Sequence, residues 1–126
     1  MEFLKLFSHW KDMEEHDAKT VLFTEGSLAD ALYVIISGEV ELSLRGEPLG
    51  TEGVGGIIGE MAISPSATRN TTATTLTEVK LARLDRDQID MLMAKSTEFS
   101  LQVMAALANR LRAVNQYITV QFESAK

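Results

Sequence analysis

The sequence predicts a mainly β domain, an antiparallel β-sandwich or barrel, followed by C-terminal helices. Three observations predict it. All eight glycines fall between Gly26 and Gly59, and both prolines, Pro48 and Pro65, lie in the same middle region. Around them run short segments rich in β-branched and aromatic residues, broken by turn residues every eight to twelve positions. After Leu84 the apolar period lengthens from that of a strand to that of a helix. With 126 residues, 45% hydrophobic and 24% charged, the composition is ordinary for a soluble globular protein. It suits one domain, residues 1–126, with a β-core at about 17–84.

In chain order, MEFLKLFSHWKDMEEHD is broken by Lys5, His9 and Lys11 and then turns acidic, so it has no signal-peptide apolar region. The strand candidates are TVLF (20–23), ALYVIISG (31–38), EVELSLRG (39–46), NTTATTLTEV (70–79) and KLARL (80–84). EVELSL alternates, Val40, Leu42 and Leu44 on one face and Glu39, Glu41 and Ser43 on the other, the pattern of a half-buried strand. Six threonines crowd Thr68 to Thr77, as β-branched residues do on a half-exposed strand. DRDQIDMLMAKS (85–96) opens with Asp85 and Gln88 at capping-box spacing and repeats Ile89, Leu92 and Met93 at helical spacing. A second helix is predicted over about 97–122. In it Met104, Leu107, Leu111, Val114 and Ile118 are spaced 3, 4, 3, 4, as in a coiled-coil seam. Packing on its own barrel asks for such a stripe too. A helix of about 25 residues nevertheless spans roughly 37 Å, more than one side of a small barrel, so its distal half calls for a partner, most simply a second copy.

Composition excludes several function classes. There is no cysteine, hence no disulfide and no thiolate metal site, which fits a cytoplasmic setting. The two histidines, His9 and His16, form neither HxH nor HExxH, and no G-x-S-x-G elbow is present, so no metal centre, cofactor or catalytic residue is expected and the chain is not read as an enzyme. A net charge of −6, with only Arg110 and Arg112 as a mild basic cluster, argues against nucleic acid as a partner. No apolar run is long enough to cross a membrane.

One segment holds a pair of charges in otherwise small, polar surroundings: GEMAISPSATRNTTATT, with Glu60 and Arg69 nine residues apart. Arginine presents a planar fork that matches a phosphate diester and keeps its charge when buried. GEMAIS, led in by the glycine-rich EGVGGIIG, can form a short helix whose first N–H groups face the same anion. Glu60 would repel a phosphate and must face a donor, of which a ribose hydroxyl is the natural one. Such residues singly also read as a surface turn glutamate and a solvated strand arginine.

GEMAI followed by that arginine resembles the phosphate-binding cassette of cyclic nucleotide-binding domains, the family of catabolite activator protein, protein kinase A regulatory subunits and cyclic-nucleotide-gated channels. The resemblance extends through DAKTVLFTEGSLADALYVIISGEVEL, with Phe23, Gly26, Leu32, Tyr33 and Gly38 in expected places, LGTEGVGGIIGEMA and LTEVKLARLDRDQIDMLM. It implies a jelly-roll, or double-stranded β-helix, and a regulatory sensor that binds a cyclic purine nucleotide, cAMP preferred and cGMP the alternative. It implies that Glu60 accepts from the ribose 2′-hydroxyl and Arg69 pairs with the cyclic phosphate. Gly59, Met61 and Ala62 then lend cassette backbone, and Thr71 flanks the phosphate. Asn70 stands where alanine, serine or threonine is usual and is a candidate to donate to phosphate or reach the base. Gly56 replaces a frequent aspartate. The last helix implies a homodimer with Met104, Leu107, Leu111, Val114 and Ile118 as its seam, and Asn115 is a candidate base contact or else a solvated polar residue. An effector protein would receive the signal. The alternatives are a ligand-free module of the same fold, or the sensor half of a transcription factor cut before its helix-turn-helix; no DNA-binding domain is expected within the chain itself.

Overall fold

The computed structural model describes residues 2–124. Over them the chain forms α1 (Glu2–Lys5), β1 (Met13–His16), β2 (Val21–Phe23), β3 (Leu32–Ser37), β4 (Val40–Leu44), β5 (Glu47–Glu52) and β6 (Ile57–Ile58). A 3-10 helix (Glu60–Ile63), β7 (Thr72–Thr75), β8 (Val79–Leu84), α2 (Arg86–Lys95) and α3 (Thr97–Ser124) complete it. The strands pair antiparallel in two four-stranded sheets, ordered β1-β8-β3-β6 and β2-β7-β4-β5. The antiparallel jelly-roll class with C-terminal helices is what the structure shows.

Period-two alternation explains where the cores lie. From β3, Tyr33 and Ile35 point between the sheets, where they meet Phe23, Val40, Leu42, Ile58, Ala73, Val79 and Leu81. Leu32 and Val34 point the other way and join Ala82, Leu84, Ile89, Leu92, Phe99 and Val103 in a second core under the helices. A strand buried on both faces needs an unbroken apolar run, which LYVII supplies. The N-terminal segment closes that second core. Phe3 stacks near Phe99 with ring centroids 6.4 Å apart, and Trp10 Nε1 donates to the Arg83 carbonyl at 2.9 Å.

Three strands fall outside the sequence reading, and each is an edge strand. MEEH of β1 and EPLGTE of β5 carry little apolar alternation, because an edge half-open to solvent does not require it, and Pro48 is tolerated on an edge that lacks one neighbour. β6 is only two residues long. The predicted strand over 70–79 shortens to β7 at 72–75 and turns before β8. Its threonines do more than favour extended backbone. Thr72 Oγ1 accepts from Glu25 N, Thr75 Oγ1 from Thr20 N and Thr77 Oγ1 from Glu39 N, so each ties down a loop.

α2 starts as its capping box predicts. Asp85 Oδ1 accepts from Gln88 N and Gln88 Oε1 accepts from Asp85 N, both at 2.9 Å. Asp85→Ala is expected to cost about 1 kcal/mol of unfolding free energy, read as a shift in urea midpoint at unchanged slope. Ser96 ends α2, and its Oγ accepts from Phe99 N at 3.0 Å as α3 begins.

Candidate functional site

Arginine, glutamate and glycine residues far apart in sequence meet where the 3-10 helix enters the barrel. Gly59 precedes that helix with φ 75° and ψ 25°, a left-handed conformation that glycine adopts without strain. Space demands glycine as well. A β-carbon there would stand 2.6 Å from Arg69 Nη1 and 3.1 Å from the Ala31 carbonyl.

From Arg69 onward the chain alternates. Arg69, Thr71, Ala73 and Thr75 are buried, whereas Asn70 is exposed. Arg69 is only 4% exposed. Its Nη1 donates to the Gly59 carbonyl at 3.0 Å, and its Cζ lies 4.2 Å from the centroid of the Phe23 ring, a cation–π contact. Phe23 in turn stacks on Tyr33 at 6.4 Å. Among the described residues the one carboxylate paired with Arg69 is that of exposed Asp30, at 3.4 Å from Nη2. Nε is buried without a partner. Burial lowers the Arg69 pKa from its ordinary value, and the negative charges of Asp30 and Glu60 act against that. The guanidinium is thus a buried cation with a free donor and only one weak, exposed counter-ion, an arrangement that an anion would complete.

Glu60 is 2% exposed and does face a donor, one supplied by the protein itself. Arg110 Nε, from α3, donates to Glu60 Oε1 at 3.0 Å across 50 residues of sequence. Arg110 is 6% exposed and also lies 3.6 Å from Glu52 Oε1 through Nη1, while its Nη2 is buried and unpartnered. The mild basic cluster of Arg110 with Arg112 is divided by the fold: Arg110 is internal and Arg112 exposed. The signal that finds it is periodic. Phe99, Val103, Leu107, Arg110, Val114 and Tyr117 fall on one helical stripe, and the five apart from Arg110 are apolar or aromatic residues turned toward the domain.

The remaining candidates divide. The Met61 and Ala62 side chains pack into the helix-side core, which leaves their backbone to the 3-10 turn. Thr71 is buried beside Arg69 in sequence. Asn115 is exposed, and no hydrogen bond or ion pair joins its side chain to Glu60, Arg69 or Arg110. Of the five seam residues, Met104, Leu111 and Ile118 are exposed, whereas Leu107 and Val114 are partly buried, Leu107 against the helix-side core. The outward face follows its own 3-4 alternation through Leu101, Met104, Ala108, Leu111, Asn115 and Ile118. Among the described residues no cluster could hold a metal ion, and no helix is long and apolar enough to cross a membrane.

The chain is similar to several known proteins. Over 100 residues the chain is 39% identical to the CRP-like cAMP-activated global transcriptional regulator of Mycobacterium tuberculosis, covering 75% of this chain and 44% of that protein. It therefore spans less than half the length of that relative. It is 38% identical over 68 residues to the cGMP-dependent protein kinase egl-4 of Caenorhabditis elegans, 54% of this chain and 9% of the kinase. The catabolite activator protein of Thermus thermophilus superposes with a TM-score of 0.74 at 25% identity, covering 95% of this chain and 59% of that one. Residues 13–96 match the family model of the cyclic nucleotide-binding domain, and the chain belongs to that family.

Proposed function

We propose that this domain is a regulatory sensor for a cyclic purine nucleotide, with cAMP as the preferred ligand and cGMP as the competing one. The observation that carries the reading is the under-paired, buried Arg69 guanidinium against the Gly59 carbonyl, at the mouth of the 3-10 helix that bears Glu60. A cyclic phosphate supplies the missing anion and accepts from the fork. A ribose hydroxyl donates to Glu60, which Arg110 holds in place. The cAMP preference follows the named activity of the Mycobacterium tuberculosis regulator, and the cGMP alternative that of the kinase. Catalysis has no place in this scheme; the domain's output is conformational.

The output runs through α3. Arg110 ties the middle of that helix to the ligand cradle, and Met104, Leu111 and Ile118 on its outer face suit a second copy of the chain in a parallel pair. Ligand that engages Glu60 and Arg69 shifts α3 between two positions on the barrel, and the dimer carries the shift to an effector protein.

Calorimetric titration with cAMP, cGMP and 5′-AMP, paired with thermal unfolding and solution mass, tests the reading. A true ligand at a hundredfold its Kd adds about 2.7 kcal/mol of stability. Binding of a cyclic nucleotide in preference to 5′-AMP is the expected result. Absence of a thermal shift with millimolar cAMP and cGMP would leave Glu60–Arg110 as a purely structural pair and overturn it.

A further inference from the structure

Glu52 ends β5, and nothing in the scheme above employs it. Its carboxylate does not extend away from the barrel. It folds back over the turn that follows β5, where a β-carbon at Gly56 would stand 2.8 Å from Glu52 Oε2. The side chain absent at position 56 is the room this carboxylate takes. From that place Glu52 Oε1 reaches Arg110 Nη1 at 3.6 Å, while Arg110 Nε serves Glu60 Oε1 at 3.0 Å. A single guanidinium is held by two carboxylates, one from β5 and one from the 3-10 helix, and its Nη2 is buried with no partner among the described residues.

The electrostatics separate this residue from an ordinary stabilising ion pair. Burial foremost pushes the Glu52 pKa up, and the charge of Glu60 adds to it, outweighing the pull of Arg110. An acid whose pKa is raised on folding contributes stability while protonated, and that contribution is lost as pH rises through the raised value. Once ionised, Glu52 therefore works against the fold. The charged groups that face it are Arg110 from α3 and Glu60 from the 3-10 helix; Gln102 and Asn109 of α3, which line the same small cavity, are neutral.

We propose that Glu52 is a positioning residue for the nucleotide site: it holds Arg110 through Nη1, so that Nε stays on Glu60 and Nη2 remains a free donor to the ligand. The proposal rests on the cyclic-nucleotide reading of the site. A guanidinium held at one nitrogen swivels about that bond, and a second anchor removes the freedom before the ligand arrives. Restraining one long side chain in advance is worth about three- to tenfold in affinity.

The test compares the parent with Glu52→Gln, which keeps the size of the side chain and removes its charge. Cyclic AMP and cyclic GMP are titrated into both proteins between pH 5 and 8, with thermal unfolding of each without ligand. Glu52→Gln is expected to bind about three- to tenfold more weakly while unfolding at the same or a higher temperature. Parent affinity is expected to fall toward acid pH as Glu52 protonates, with the variant flatter over the same range. Equal affinities with parallel pH profiles would overturn the proposal, as would a loss of affinity matched by a loss of thermal stability. A second readout needs no nucleotide. The Arg110 Nε–H resonance in ¹⁵N NMR is expected to be sharp and slowly exchanging in the parent and to broaden or exchange faster in Glu52→Gln; an unchanged resonance overturns the proposal. If the parent binds neither nucleotide, the functional reading fails, and the Arg110 resonance still decides whether Glu52 positions that side chain.

Discussion

Arg69→Ala is expected to weaken cyclic-nucleotide binding by about 2–5 kcal/mol, roughly 30- to 5,000-fold in Kd, the range for removing one partner of a buried charge pair. The size follows from the surroundings. Arg69 already has Phe23 beneath it and the Gly59 carbonyl on Nη1, so its fork is oriented before any ligand arrives. Arg69→Lys is expected to fall between the two, since an ammonium keeps the charge and loses the planar fork. Calorimetry on folded variants decides it. A Kd for Arg69→Ala equal to that of the parent, with a native unfolding transition, would remove Arg69 from the site. The variant also deletes a cation that the Gly59 carbonyl accepts from, so each titration is read beside the thermal unfolding curve.

Arg110→Met is the second large effect. Glu60 is then left as a 2% exposed carboxyl group with its donor gone. Removing one partner of a buried pair costs about 3–5 kcal/mol, which would be read as a fall in urea midpoint. Replacing both partners, Glu60→Gln with Arg110→Met, is expected to recover a large part of that loss, because no uncompensated charge remains. Neither variant is expected to bind cyclic nucleotide like the parent. A double variant as unstable as the single one would show that Arg110 acts by packing along its stem rather than by answering Glu60.

These expectations depend on contacts of different legibility. Glu60 and Arg69 are visible in the chain because each is a lone charge in a run of small residues, and the GEMAI pattern adds the family. Their chemistry was also inferable: an acid that cannot face phosphate must face a donor. That the protein supplies one itself, from Arg110, was not. Arg110 lies fifty residues from Glu60, and from composition it reads as surface charge. Only the inward stripe from Phe99 to Tyr117 marks it, and that stripe shares Leu107 and Val114 with the predicted seam, whose other members, Met104, Leu111 and Ile118, lie one position outward. Two faces of one long helix, both apolar and both on a 3-4 alternation, do not separate in sequence until one of them is seen against the barrel.

The strands tell the same story. β3, β4 and β8 were legible because burial on one or both faces imposes an apolar code on them. β1 and β5 escaped because edge position relaxes that code and even admits Pro48. Asp85 and Gln88 placed the start of α2 from four residues of local chemistry.

By itself the sequence determined what is local or repetitive: the β-core ahead of the helices, the capped start of α2 and the two charges of the cassette. Tertiary structure decided what depends on distance in space alone. It set Phe23 under Arg69, brought Arg110 to Glu60, folded Glu52 over Gly56 and turned Leu107 and Val114 inward while leaving Leu111 and Ile118 outside. The physical reason is that hydrophobic period and capping act over a few residues, whereas ion pairs and stacking form wherever the closed barrel and the docked helix bring their groups together.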